Sequence, residues 1–384
     1  MSQLNSSTSS SDPSQRYLLS AGPLIALWMV LGLAVIDLFI NVAFAYPSDP
    51  KTVDPPRLRL FFEYGRSVEA KLARMTRADP SQTAPITLSG WYEPLAVGEP
   101  PAAVAKPVVT FYGMSHTMRL AAALGRVTDR YLGRAVGAPG ATTNWSYGAF
   151  LRDHGGGESQ VVVLSLMSYN LPMITSFSPM IWDQDSPMPY TGDRFHLEGG
   201  QLTVVHPPFA SFQRFYETFR DPAKWAEAKA VFAKNDPMYD GFVVTSSVLD
   251  RSALIRMLRR AYGQSLVRRA RSAVLDQTGY QPQSEQIQIA RAIVKDFARE
   301  ARKEHLLPVI FLVNNLGYSD FLYQAIKPAL DADDIPYLSS HTVASPDDPR
   351  AYLPDSHFTD AVDDKLALAL VDLLDRRLKP QAPE

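Results

Sequence analysis

Gln160-Val161-Val162-Val163-Leu164-Ser165-Leu166-Met167 is the stretch from which the fold can be read. Its apolar side chains run on without the polar alternation of a half-exposed strand, so it reads as a strand buried on both faces. Such a strand needs helices above and below it. Upstream, residues 107–112 (PVVTFY) are a short β-branched and aromatic run closed by Gly113. Residues 118–129 have helical character, and residues 134–140 are extended and end in Pro139-Gly140. Downstream, a helical run over 286–304 leads into a second continuous apolar strand, 307–313 (LPVIFLV). A helix near 322–332, a short fifth strand at 335–338 and a closing helix over 359–378 complete the pattern. Strands alternating with helices predict an α/β fold, a parallel sheet covered on both faces. Ligands in such sheets bind beyond the carboxyl ends of the strands.

Between residues 177 and 282 the alternation stops. Residues 178–200 are loop-like, and 209–234 and 249–277 look helical. The second helical stretch carries Arg251, Arg256, Arg259, Arg260, Arg268, Arg269 and Arg271. This region is expected to be an insertion shaping the site. Its arginines are either a solvated face or a surface for an anionic glycan, a lipid head group or a partner.

Composition excludes several classes. The 384 residues hold 38 Lys and Arg against 40 Asp and Glu, a formal net charge of −2, without the basic excess that general nucleic-acid binding calls for. There is no cysteine, which removes disulfides, thiolate metal sites and cysteine nucleophiles. His154, His196, His206, His305 and His341 show no pair spacing that suggests a metal site, and no cofactor is implied.

The N-terminal region has its own logic. Residues 1–16 form a Ser-rich tail expected to be disordered. Residues 17–46 are apolar, with Asp37 as the sole charge, Tyr17 and Tyr46 at the two ends and Trp28 deep inside. That length suffices to cross a bilayer and favours an uncleaved signal anchor. Ala43-Phe44-Ala45 resembles a cleavage site, but a cleaved signal has a shorter apolar core. Asp37 is either a helix-packing contact or a side chain snorkelling to the interface. Basic residues do not favour a cytoplasmic N-terminus, since Arg16 precedes the span while Lys51, Arg57 and Arg59 follow it. Residues 47–58, with four prolines, read as a stiff linker opening a lead-in segment that runs to residue 100; the α/β domain is expected over 101–384.

Four short blocks fall where chemistry is expected. Gly113-Met114-Ser115-His116 follows the first strand, and a serine at such a turn can present its hydroxyl to the cleft beside the next helix's free amides. Gly137-Ala138-Pro139-Gly140 offers an unobstructed backbone amide. Ser168-Tyr169-Asn170 follows the strongest strand, and an Asn amide can donate to a developing oxyanion. Asp355-Ser356-His357 precedes the last helix, and a histidine beside a carboxylate is the natural base for a serine. Each block has a plainer alternative. Ser115 is a residue type that caps helices, Asn170 precedes a turn at Pro172, Gly140 suits a tight turn, and Asp355 with His357 can cap the final helix.

Together the blocks resemble the SGNH/GDSL hydrolase family, whose Ser, Gly, Asn and His occur in this order on a flavodoxin-like three-layer α/β/α sheet. The resemblance runs from about Val108 to Leu374 and implies Ser115 as nucleophile, with its own amide, Gly140 and Asn170 as the oxyanion hole. His357 would be the base and Asp355 its orienting acid; His116 and Tyr169 are candidate substrate contacts. The sequence departs from the family pattern at Met114, where an Asp is usual, and at Leu171. Its acid stands two residues before His357, not three, an arrangement similar to membrane-associated proteins that O-acetylate exopolysaccharides, such as those of alginate. The resemblance thus implies a serine esterase or O-acyltransferase, of acetyl groups by likeness to those proteins, acting on a cell-envelope glycan. It implies a single-pass inner-membrane protein whose catalytic domain lies in the periplasm or outside the cell, working beside a membrane-bound acyl-donor or polysaccharide-synthesis partner. Two other readings stand beside it. One is a non-catalytic envelope protein that binds polysaccharide or a synthase. The other is a lipase or lysophospholipase, suggested by the anchor and by Met173, Met180 and Met188.

Overall fold

The structure, a computed structural model, describes residues 13–49, 55–77, 83–93, 106–185 and 187–378. The order of elements follows the alternation of the sequence. An N-terminal helix α1 (Pro13–Ala43) is followed by α2 (Arg57–Glu63) and α3 (Val68–Met75). The sheet then begins with β1 (Val108–Gly113), α4 (Ser115–Val127), β2 (Leu132–Gly137), α5 (Thr143–Asp153) and β3 (Ser159–Met167). A long excursion holds α6 (Pro179–Trp182), the hairpin β4 (Arg194–Glu198) and β5 (Gln201–Val205), α7 (Phe212–Arg220), α8 (Pro222–Asn235), α9 (Gly241–Val244), α10 (Ala253–Ser272) and a small hairpin β6 (Leu275–Asp276) and β7 (Gly279–Tyr280). The chain returns through α11 (Glu285–Lys303), β8 (Leu307–Val313), α12 (Phe321–Ala332), β9 (Tyr337–Ser339) and α13 (Asp360–Leu378).

Five strands form one parallel sheet in the order β2-β1-β3-β8-β9. The central three are buried nearly throughout, as their unbroken apolar runs require. Alternate side chains of each strand go to opposite faces. Val109, Phe111, Val161, Val163, Val309 and Phe311 pack against α4 and α13. Tyr112, Val162, Leu164, Leu166, Ile310 and Leu312 pack with residues of α5, α11 and α12. Helices therefore cover both faces of the sheet.

Several local expectations are corrected. Helix α5 has no counterpart in the reading of the sequence, and 178–200 is not all loop, since it holds α6 and β4. The single helix expected over 209–234 is two, because Pro222 opens α8 and the Asp221 side chain accepts from the amides of Ala223 and Lys224. The arginine-rich helix starts at Ala253, capped by Ser252. Of the tail expected over 1–16, residues 1–12 lie outside the described residues, and Pro13 already opens α1. The linker expected over 47–58 ends at Pro56, which precedes α2; residues 50–54 lie outside the described residues.

Gly22–Ala43, with a mean hydropathy of 2.4 and none of it buried, is the one helix among the described residues long and apolar enough to cross a membrane. Its C-terminal turns are clasped by polar contacts. Asp37 Oδ1 accepts from the Leu254 amide at 2.8 Å and from Ser252 Oγ at 2.9 Å, and Arg256 donates to Asn41 Oδ1 at 3.0 Å. Asp37 thus packs on the body of the protein, at the positive N-terminus of α10.

Candidate functional site

The carboxyl ends of β1, β3 and β8 open into a cleft of 400 Å3 lined by Ser115, His357, Asp355, Gly140, Asn170 and Tyr169, among others. Met114, extended at φ −101° and ψ −170°, takes the N-cap of α4, so Ser115 is the first residue of the helix and not its cap. Gly113 makes the tight exit from β1 possible: a Cβ there would meet Thr117 Oγ1 at 2.2 Å and the Ser165 side chain at 2.9 Å. Thr117 Oγ1 in turn donates to Ser165 Oγ at 2.8 Å, tying the first turn of α4 to β3.

Ser115 and His357 meet although 242 positions apart, with His357 Nε2 2.6 Å from Ser115 Oγ. On its other side His357 Nδ1 lies 3.0 Å from Asp355 Oδ2. The network fixes the tautomer: Nδ1–H donates to the carboxylate and Nε2 accepts from the serine hydroxyl. Asp355 Oδ1 also accepts from the His357 amide at 3.2 Å, a local turn that Ser356 permits by adopting a left-handed φ of +70°. These hydrogen bonds hold the Asp355 carboxyl below its ordinary pKa, although its side chain is 66% exposed. Asp355 and His357 are thus a pair within the loop before α13 that points into the cleft.

His116 is buried at the wall of the cleft. Its ring stacks on that of His357 at 4.7 Å between centroids and meets Phe358 edge-on, and its Nε2 lies 3.2 Å from the Ser356 carbonyl. Burial first, and then the neighbouring His357, push its pKa down to about 4. Tyr169 is 44% exposed in the cleft, with the Arg271 guanidinium 4.5 Å above its ring.

Gly140 has φ +64°, a conformation open to glycine, and its amide finds no acceptor among the described residues. Asn170 is buried at the cleft wall and donates to the Ala141 carbonyl at 2.8 Å, with a longer 3.4 Å contact to that of Gly140. In this state it braces the loop that carries Gly140.

The cleft also contains residues that the sequence reading missed: Trp182, Asp183, Asn315, Leu316 and Tyr318. Asn315 Oδ1 accepts from the Tyr169 amide at 3.0 Å, and the signal for it was available, since Asn314-Asn315 directly follows β8. A shallower groove of 240 Å3 shares Tyr169, Trp182 and Asp183 with the cleft and continues past Arg268 and Arg271. Two of the seven arginines of that region fit neither reading of them, whereas Arg260 is balanced by an acid as the solvated-face reading expects. Arg256 and Arg259 are buried, on the Phe62, Asp250 and Gly65 carbonyls and the Asp250 carboxylate, and Arg260 pairs with Asp185 at 2.7 Å. The methionines that suggested a lipase, Met173, Met180 and Met188, are buried in the core.

A larger cavity of 460 Å3 lies at the foot of α1, beside Tyr46, Glu63 and Arg74. It holds the buried Lys71, which donates to the carbonyls of Tyr64 and Gln184 and whose pKa burial lowers to about 7. No family model matches the chain, and no curated protein matches it.

Proposed function

We propose that this protein is a membrane-anchored serine esterase or O-acyltransferase of SGNH type, transferring acetyl groups to or from a cell-envelope glycan. The observation that carries the reading is the hydrogen-bonded chain from Ser115 through His357 to Asp355 at the rim of a parallel sheet. Taken by sequence, the five sheet strands run 2-1-3-4-5, the flavodoxin-like order, and Ser115 and Asn170 follow the two strands beside its switch point.

In this mechanism Ser115 Oγ attacks the ester carbonyl as His357 Nε2 takes its proton, and Asp355 stabilises the resulting imidazolium. The oxyanion faces the free amides of Ser115 and Gly140, and the Asn170 hydrogen held by the long contact to Gly140 turns to it. The C–O bond breaks, His357 returns the proton to the leaving alcohol, and an acetyl group remains on Ser115. Water or a sugar hydroxyl, deprotonated by His357, then accepts it. The groove beside the cleft, lined by Tyr169, Gln184, Arg268 and Arg271 together with Asp183 and Asp185, is polar and suits a sugar chain better than an acyl chain.

The test uses the full-length chain in detergent with an activated acetyl ester and a fluorophosphonate probe. Ser115→Ala is expected to lower turnover by at least about a thousandfold and to abolish labelling, with an unchanged melting temperature. Unchanged turnover overturns the reading. A folded wild-type protein that neither labels nor turns over favours the non-catalytic alternative.

A further inference from the structure

We infer that the body of the protein is seated on the lipid surface through a second contact beside α1: an apolar rim formed by the outer face of α10 and its neighbours. The inference rests on α1 as a membrane span and is independent of the catalytic reading. The 20 residues between Arg16 and Asp37 carry no charge and, as helix, extend about 30 Å, the thickness of the hydrocarbon core. The apolar span Gly22–Ala43 closes with the turns in which Asp37 and Asn41 are clasped by Ser252, Leu254 and Arg256, so these contacts stand at its C-terminal lipid boundary. This puts the first turns of α10 at that boundary.

The face of α10 that leaves this clasp is apolar where it should meet water. Leu258, one turn beyond Leu254, is 65% exposed, and Met257 and Tyr262 are also exposed. Arg256, Arg259 and Gly263, on the opposite face, are buried, so the exposed side chains lie on one outward stripe. The neighbouring elements extend it. Val248, just before α10, is 72% exposed, Phe242 of α9 touches the Tyr262 ring, and Leu58 of α2 is 61% exposed. Farther along α10 the outward stripe turns basic, at Arg269. Apolar residues beside an anchor and cations farther out are the pattern of a helix lying in a bilayer interface. The occupant is lipid because the rim is continuous with the point where the anchor enters the body.

The absence of cysteine in the chain permits a direct test. Leu258→Cys and Val248→Cys, each carrying an environment-sensitive fluorophore, are reconstituted as full-length protein in bilayers containing nitroxide-labelled lipid. Leu31→Cys in α1 is the embedded reference and Leu368→Cys, exposed on α13, the aqueous one. Quenching at positions 258 and 248 is expected within about twofold of that at position 31, with a blue-shifted emission. Quenching no greater than at position 368, with position 31 fully quenched, overturns the inference and leaves a protein partner as the occupant, since these bilayers contain none. An unquenched label at position 31 overturns the span itself and the inference with it. Unchanged melting temperatures establish that each variant is folded.

Discussion

His357 is held from three sides, and each contact acts differently. Asp355 supplies a charge that opposes the imidazolium, but from a solvent-exposed position, where its attraction is screened. Asp355→Asn keeps an acceptor for the His357 amide and loses the charge, so kcat is expected to fall about 10- to 100-fold, well short of the loss for Ser115→Ala. Steady-state kinetics on the acetyl ester measures this. His116 lies behind the His357 ring. With its pKa pushed down to about 4, it rejects in the folded state a proton that the unfolded chain takes up near pH 6.5. Between these values the unfolded state binds more protons, so stability rises with pH across the window and falls on acidification. His116→Phe keeps a ring against His357 and removes the titration. The stability of wild type relative to this variant, from urea unfolding, is expected to decline from pH 6.5 to pH 4; a constant difference would contradict the burial argument.

At the scale of elements, α4 and α13 explain why Ser115 and His357 meet. They lie side by side on one face of the sheet, sharing Leu120, Leu124, Leu366 and Leu370 in one core. Arg119, one turn after Ser115, locks the register: it donates to Asp363 Oδ2 at 2.8 Å, Asp360 Oδ1 at 2.7 Å and the Phe358 carbonyl at 3.0 Å. Arg119→Met would leave the buried Asp363 carboxylate uncompensated. Because the guanidinium is partly solvated, the expected loss of stability is about 1–3 kcal/mol, measured by denaturant unfolding. It would also release the loop bearing His357, lowering kcat about tenfold with little change in KM, the signature of a positioning residue.

Across the whole molecule, the arginine-rich helix α10 joins α1 to the groove beside the cleft. Its N-terminus receives Asp37, its middle is fixed by Asp250 through Arg259, and its last turns border the groove beside the cleft. Loss of the clasp should therefore uncouple the body from α1 without touching the chemistry. Asp37→Leu is expected to lower stability in detergent by about 1 kcal/mol, the worth of a helix cap, while turnover of a soluble acetyl ester stays unchanged.

The strands at 107–112, 160–167 and 307–313 were legible in the sequence because an apolar run is a local property: each residue declares whether it can be buried, and neighbours agree. Three of the four blocks were legible for the same reason, each lying where a strand ends, and the fourth because it directly precedes the closing helix. Their geometry was not. Whether Ser115 faces His357, that Asp37 reaches the amide of Leu254, and that Arg256 and Arg259 are buried rather than solvated depend on contacts between segments far apart in the chain. Such contacts are set by the order of strands in the sheet and the side on which each helix packs, and no local periodicity encodes either. Helix α5 and the β4–β5 hairpin escaped the reading likewise, since their apolar faces become intelligible once the layer that covers them is in place.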